Sequence, residues 1–242
     1  DGHKFLIKKS KKRCKKTLVS IFINPTQFNS KSDFNKYPRN INKDLIFLKR
    51  LKIDFLYLPT TNDLYKIKRR DKIRLNYNEK ILCAKYRKGH FEGVIDVMDR
   101  LTQLIKPKEI FMGKKDYQQF FLVKKFIEKK FDSVVILCKT IRDKNKLALS
   151  TRNSLLKKNE IIIANKITNN LIKFWKNIKR NNKVSTLLKE KKNELIKLYN
   201  IKIEYLEIRN QKNLKKINNI DNKSILLIAY FIGDVRLIDN FC

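Results

Sequence analysis

No stretch of this chain approaches the ~20 apolar residues that span a bilayer; the longest unbroken apolar run is Ile225 to Ile232. A membrane-spanning helix is excluded, and a soluble protein without membrane partners is expected. Four cysteines, at positions 14, 83, 138 and 242, form no Cys-x-x-Cys pair and no dense framework, which rules out a disulfide scaffold and suits free thiols in a reducing cytoplasm. Cys83 and His90 do not have zinc-ligand spacing, so no protein metal site is expected. Signal-peptide and lipidation strings and internal repeats are missing as well. Acidic residues are few, 23 against 58 basic ones, for a net charge of +35.

That charge on its face suggests nucleic acid or an anionic surface, but its distribution and kind argue otherwise. Residues 1–141 carry +21 and residues 142–242 carry +14, so neither part concentrates it. There are 45 Lys against 13 Arg, with 25 Asn and only 4 Ala and 5 Gly. Lys, Asn, Ile and Phe have A/T-rich codons, so the composition reads as drift in an A/T-biased genome. The Arg fork favoured in base readout is scarce, and no specific nucleic-acid partner is expected.

Apolar, β-branched or aromatic runs at Thr17–Ile23, Asp54–Leu58, Glu109–Met112 and Val134–Cys138 alternate with segments of helical spacing, Phe5–Lys16, Asn42–Leu51, Val94–Ile105 and Tyr117–Phe131. This βαβ alternation predicts an α/β domain with a mostly parallel sheet over residues 1–141. Tyr117, Phe120, Phe121, Val123 and Ile127 form the expected buried stripe of its last helix. From residue 142 to 242 the pattern changes to two helical stretches, Leu155–Ile178 and Val184–Tyr199, then strands Ile203–Ile208, Ile225–Ile232 and Val235–Ile238. Gly233-Asp234 is a hairpin turn signal and 211–223 reads as a loop, so a smaller α+β domain follows.

Three polar strings stand where apolar runs end: Asn24-Pro25-Thr26-Gln27, Gly113-Lys114-Lys115-Asp116-Tyr117-Gln118-Gln119 and Leu149-Ser150-Thr151-Arg152. In a parallel α/β sheet such positions line the ligand crevice, so they read as one site assembled from distant sequence. Gly113 allows close backbone approach, the following helix offers N–H groups to phosphate, and Lys115 adds a charge. Asp116 suits a ribose hydroxyl, or else simply caps the helix. Ser150, Thr151 and Arg152 supply two hydroxyls and a guanidinium for outer phosphates, although Ser150 could equally be a plain N-cap. Lys144 is placed to reach phosphates. Gln27 and Gln119 can bond a hydroxyl and a carboxylate without adding charge, and Asn24, Tyr37, Arg87 and His90 are expected to line the acid pocket. His3, beside Gly2 at a helix start, can stabilise charge developing on phosphate.

With Ser20–Phe28, Tyr37-Pro38-Arg39, Gly89–Val94 and Gly233–Asn240, these strings and Asp1-Gly2-His3 occur in an order that resembles the pantothenate synthetase (pantoate–β-alanine ligase) family from end to end. The resemblance implies a Rossmann-like nucleotidyltransferase domain followed by a smaller lid domain, a cytoplasmic homodimer, and ATP with Mg2+ as requirements. The implied reaction joins pantoate to β-alanine through pantoyl adenylate, releasing AMP and pyrophosphate. It further implies that His3 is the catalytic histidine and that Asp1, Gly2, His3, Gly113, Lys114, Lys115, Asp116, Ile141, Leu149, Ser150, Thr151 and Arg152 contact ATP. Gln27 and Gln119 would hold pantoate, with Gln27 also near β-alanine.

Lys114 stands where the family usually has an acid, Lys88 where it has Pro, Thr151 where it has Ser, and Lys146 where it has a glycine whose positive φ could matter to the loop. The chain opens without an initiator methionine, its first Met being Met98. The resemblance places a strand and a Thr-Met-Gly loop before Asp1, so the 242 residues alone are expected to be weakly active or inactive. Two alternatives remain at this level: a related adenylyltransferase that releases no AMP, and a basic nucleic-acid-binding module.

Overall fold

The computed structural model describes residues 2–28, 34–35, 40–67, 71–178 and 184–242. The chain divides into two compact units, residues 1–139 and 140–242.

In the first unit, α1 (Gly2–Arg13) leads into β1 (Leu18–Ser20), and α2 (Ile41–Arg50) connects β1 to β2 (Phe55–Tyr57). The pair is parallel, with Leu18 opposite Phe55 and Ser20 opposite Tyr57. Its entry is fastened by Asp54, whose carboxylate accepts from the Thr17 N–H at 2.8 Å. That bond, helped by Lys16, holds the Asp54 pKa below the usual carboxylate value. α2 starts where the Asn40 side chain accepts from the Lys43 N–H, and α3 (Thr61–Tyr65) starts on a Thr60/Asp63 capping box.

A short α4 (Cys83–Tyr86) precedes α5 (His90–Ile105), which buries Phe91, Val94, Ile95 and Val97 along one face. Asp99 on this helix is fully buried and meets Lys130 Nζ at 2.8 and 2.9 Å. β3 (Glu109–Gly113), a 3-10 turn at Lys114–Asp116, α6 (Tyr117–Lys130) and β4 (Val134–Cys138) complete a second parallel pair, from Glu109 opposite Val134 to Gly113 opposite Cys138.

The α/β alternation expected from the sequence is therefore observed, with one correction to the sheet. Among the described residues the four parallel strands form two separate pairs, since no ladder joins β1 or β2 to β3 or β4. α6 also differs in detail. Phe121 is only half-buried, while Leu122 lies inside with Tyr117, Phe120, Val123 and Ile127.

In the second unit, β5 (Lys202–Asn210), β6 (Ser224–Ile232) and β7 (Val235–Phe241) form an antiparallel sheet. The expected hairpin turns at Gly233, whose φ is +54°, and Gln211 through Lys223 forms the connecting loop. β6 is central, and its Leu226, Ile228, Tyr230 and Ile232 share a core with Ala164, Ile167, Leu171 and Trp175 of α7 (Lys158–Ile178). α8 (Val184–Tyr199) adds Leu195. The helical stretch expected from Leu155 is broken. Thr151–Leu155 is a 3-10 turn, Leu156 is extended, and α7 opens only at Lys158, where the Glu160 carboxylate accepts from the Lys157 N–H.

Candidate active site

The Asn24 string follows β1 and is built largely by its own first residue. Asn24 is buried, and its side-chain oxygen accepts from Thr26 N (3.2 Å), Thr26 Oγ1 (2.9 Å) and Tyr65 Oη (2.9 Å), while Nδ2 donates to the Gly93 carbonyl at 3.0 Å. These bonds set the 3-10 turn Pro25–Gln27. Burial pushes the Tyr65 hydroxyl pKa up, so it remains a donor. Arg100 lies over the Tyr65 ring at 4.7 Å and donates to the carbonyls of Leu64 and Ile67. The oxygen of Asn24 is thus saturated by protein donors. These bonds give Asn24 a structural role in the turn beside the pantoate contact expected from the sequence.

α5 approaches this turn from the other side. A Cβ on Gly93 would stand 2.5 Å from the Thr26 carbonyl oxygen and 3.0 Å from the Gln27 nitrogen, both rigid backbone. One turn earlier, His90 Nδ1 lies 2.7 Å from the Gln27 carbonyl oxygen, and its Nε2 lies 2.8 Å from a guanidinium nitrogen of Arg87. Gln27 itself is half-buried.

The Gly113 string sits at the carboxyl end of β3. Gly113 has an ordinary φ of −78°, and a Cβ there would meet nothing within 4 Å. Neither backbone conformation nor packing demands glycine here, which leaves open space beside the backbone for a ligand. Asp116 makes no side-chain capping bond to α6, so the plain helix-cap alternative fails. Its carboxylate instead lies 3.2 Å from Lys115 Nζ. The two glutamines divide their work. Gln118 is buried and donates to the carbonyls of Glu79 and Ile81, whereas Gln119 is half-exposed.

His3 is exposed in the first turn of α1. Arg13, at the other end of that helix, meets Glu109 at the start of β3 at 2.6 and 2.7 Å, and the Lys139 ammonium lies 5.4 Å from the Phe5 ring just beyond β4. Helix and strand therefore run antiparallel. A 12-residue helix spans ~18 Å and five strand residues ~17 Å, so the N-terminus of α1 arrives at the end of β3 that carries Gly113. This brings His3, Gly2 and the Gly113 string to one end of the unit.

In the second unit, Ile141 to Leu149 forms a small hairpin, with the Leu149 N–H donating to the Ile141 carbonyl and Arg142 bridged to Ala148. Lys146 has a φ of +76°, so the residue at which the resemblance implies glycine does adopt the left-handed region. Asp143 Oδ1 offsets that strain by accepting from the Asn145 and Leu147 N–H groups at 2.8 and 2.9 Å. Lys144 is exposed at the tip. Arg142 anchors the hairpin to β7 with a fork to Asp239 at 2.7 and 2.8 Å and a third bond to the Asn240 carbonyl. Ser150 Oγ accepts from the Arg152 N–H at 3.2 Å, so it does serve as an N-cap. Thr151 is exposed and Arg152 half-exposed. Asp1 and Tyr37 lie outside the described residues.

The sequence profile described as pantoate-beta-alanine ligase matches residues 1–242. The chain belongs to this family. It is 38% identical over 243 residues to the pantothenate synthetase of Ruthia magnifica subsp. Calyptogena magnifica and 33% identical over 241 residues to that of Thermosipho africanus. Those matches cover 99% of this chain and 85% and 87% of the relatives. Among solved structures, the pantothenate synthetase of Thermus thermophilus aligns with a TM-score of 0.92 at 26% identity, over 99% of this chain and 88% of that one. The Francisella tularensis pantoate-beta-alanine ligase, solved as a complex with "Beta-gamma ATP and Beta-alanine", aligns at 0.83 with 36% identity, over 100% and 84%.

For a ligase of this family, sequence reasoning underrated three residues. Gly93 could have been flagged because glycine inside a helix costs roughly 0.5–1 kcal/mol relative to alanine and so needs a reason. Tyr65 and Arg100 carry no local signal, since their partners lie dozens of residues away.

Proposed function

We propose that this ligase condenses pantoate with β-alanine at the expense of ATP, through a pantoyl adenylate. What carries the reading is the gathering of His3, Gly2 and the Gly113 string at the carboxyl end of β3. A helix N-terminus, an imidazole, open space beside a glycine and the Lys115 ammonium are the groups that bind a phosphate chain and neutralise charge forming on it. Lys114 and Asp116 are assigned to the same nucleotide. In the second unit Ile141, Lys144, Leu149, Ser150, Thr151 and Arg152 are assigned to ATP on the strength of the family resemblance.

Gln27, Gln119 and Asn24 are assigned to pantoate, and Gln27 also to β-alanine. A carboxylate oxygen of pantoate attacks the α-phosphorus and pyrophosphate leaves. The amine of β-alanine then attacks the acyl carbon, loses a proton, and AMP departs with the bridging oxygen. Holding the carboxylate in line is worth up to ~7–11 kcal/mol, and no side chain needs to become a covalent nucleophile.

Among the described residues, no group of three or more His, Cys, Asp or Glu side chains could hold a metal. Magnesium is assigned to the nucleotide substrate, the usual mode for an ion that keeps its waters and takes phosphate oxygens. The free thiols suit a reducing cytoplasm, and the family resemblance supports a homodimer.

The test is product analysis with each substrate omitted in turn. Equal amounts of AMP, pyrophosphate and pantothenate should form only when ATP, pantoate and β-alanine are all present. An adenylylated product without AMP would identify an adenylyltransferase instead. No turnover together with steeply salt-dependent binding of nucleic acid would identify a basic binding module.

A further inference from the structure

We propose that His90 is a positioning residue, held as the neutral Nδ1–H tautomer by Arg87, that fixes the backbone from which Gln27 presents its amide to pantoate. This rests on the assignment of Gln27 to pantoate. Each neighbour of the ring can play one part only. A guanidinium donates and cannot accept, so Nε2, 2.8 Å from Arg87, must offer its lone pair. A carbonyl oxygen accepts and cannot donate, so Nδ1, 2.7 Å from Gln27 O, must carry the proton.

Both ring nitrogens are therefore committed inside the protein. His90 is also buried, with its ring 4.8 Å from that of Phe91. The pocket-lining role expected from the sequence gives way to an indirect one, in which the imidazole acts through Gln27.

The geometry fixes how the ring works. Arg87 leads into the Gly89 turn, where φ is +80°, and His90 opens α5, so the same helix start that presents Gly93 to Thr26 also directs the imidazole at Gln27. Two contacts on one helix, a close backbone approach and a hydrogen bond, thus define where Gln27 stands. Removing the bond leaves a carbonyl unpaired and frees the residue to rotate.

The two amide side chains separate the two halves of the ring. In His90→Asn the amide nitrogen replaces Nδ1 and keeps the bond to Gln27. In His90→Gln the amide reaches the Nε2 position and keeps the bond to Arg87 alone. The KM for pantoate should rise about tenfold in His90→Gln and by less than about threefold in His90→Asn. The KM for ATP should stay within about twofold in both, and melting temperatures should be matched.

In a Gln27→Ala background, His90→Gln should add less than about twofold, because the residue it acts through is gone. Equal losses in the Asn and Gln variants, or a full tenfold addition on top of Gln27→Ala, would overturn the proposal. If His90→Gln does not fold, Arg87→Met takes its place: freed from the guanidinium, Nε2 can carry the proton, and the pantoate KM should still rise at least about threefold, while no rise would overturn the proposal. An unchanged pantoate KM in Gln27→Ala would overturn the pantoate assignment itself. A large effect there beside an unaffected His90→Gln would overturn only the role of His90.

Discussion

Replacing Gly93 with alanine is expected to lower kcat/KM for pantoate by about a hundredfold. Propensity alone would favour the substitution, since alanine is the better helix former by roughly 0.5–1 kcal/mol. Packing decides against it. The new Cβ would stand 2.5 Å from the Thr26 oxygen and 2.8 Å from its carbonyl carbon, and neither can rotate aside as a side chain could. Either α5 or the turn must shift, at a cost of about 1–3 kcal/mol for overpacking.

The shift would reach Gln27 directly, because the Asn24 bond to the Gly93 carbonyl and the His90 bond to the Gln27 carbonyl both cross that gap. Misplacing a substrate contact by about 1 Å costs on the order of a hundredfold in rate, so function should suffer more than stability. Steady-state kinetics with pantoate varied, beside a thermal melt, measures both. Wild-type kinetics in a folded Gly93→Ala protein would mean that the turn has room that the structure denies it.

The second large effect is expected from Asp239. It is 5% exposed, and its fork to Arg142 closes the hairpin that leads to Leu149 and Ser150. Removing one member of such a pair leaves the other poorly solvated, at a cost of about 3–5 kcal/mol. Arg142 keeps 20% of its side chain exposed and stacks on the Phe241 ring at 5.0 Å, so the lower end of that range applies.

Asp239→Ala should therefore lose about 3 kcal/mol, or roughly 10 °C in melting temperature, with a raised KM for ATP as the hairpin loosens. Replacing both partners with apolar residues, Arg142→Met with Asp239→Leu, should recover much of the stability, since no charge is then stranded. A single variant that melts within about 1 °C of the parent would show that the fork holds nothing.

Both predictions rest on features of different legibility. The alternation of strands and helices was readable because β-branched runs and Lys-filled amphipathic stretches are local patterns, and β3, α6 and β4 fall close to where those patterns put them. Lys146 was readable for a related reason: a lysine where the resemblance implies glycine marks a place where backbone conformation matters, and its φ is positive.

The division of the parallel strands into two pairs was not legible from local patterns, since pairing depends on hydrogen bonds between distant segments; only the resemblance, which places an inner strand before Asp1, pointed to it. The turn-building part of Asn24 was not legible, because an amide that builds a turn and one that binds a ligand have the same sequence signature. It is recorded only in its three donors and the Gly93 carbonyl. The Arg142–Asp239 fork joins residues 97 positions apart, and no periodicity records such a contact.

The most direct test of the mechanism follows an oxygen atom. With pantoate labelled in its carboxylate with 18O, turnover in unlabelled water should yield AMP carrying one 18O in its phosphate, with none in pyrophosphate, because the carboxylate oxygen that attacks the α-phosphorus departs with AMP. Unlabelled AMP, or label appearing in pyrophosphate or inorganic phosphate, would contradict an adenylate and the roles given to the groups around it.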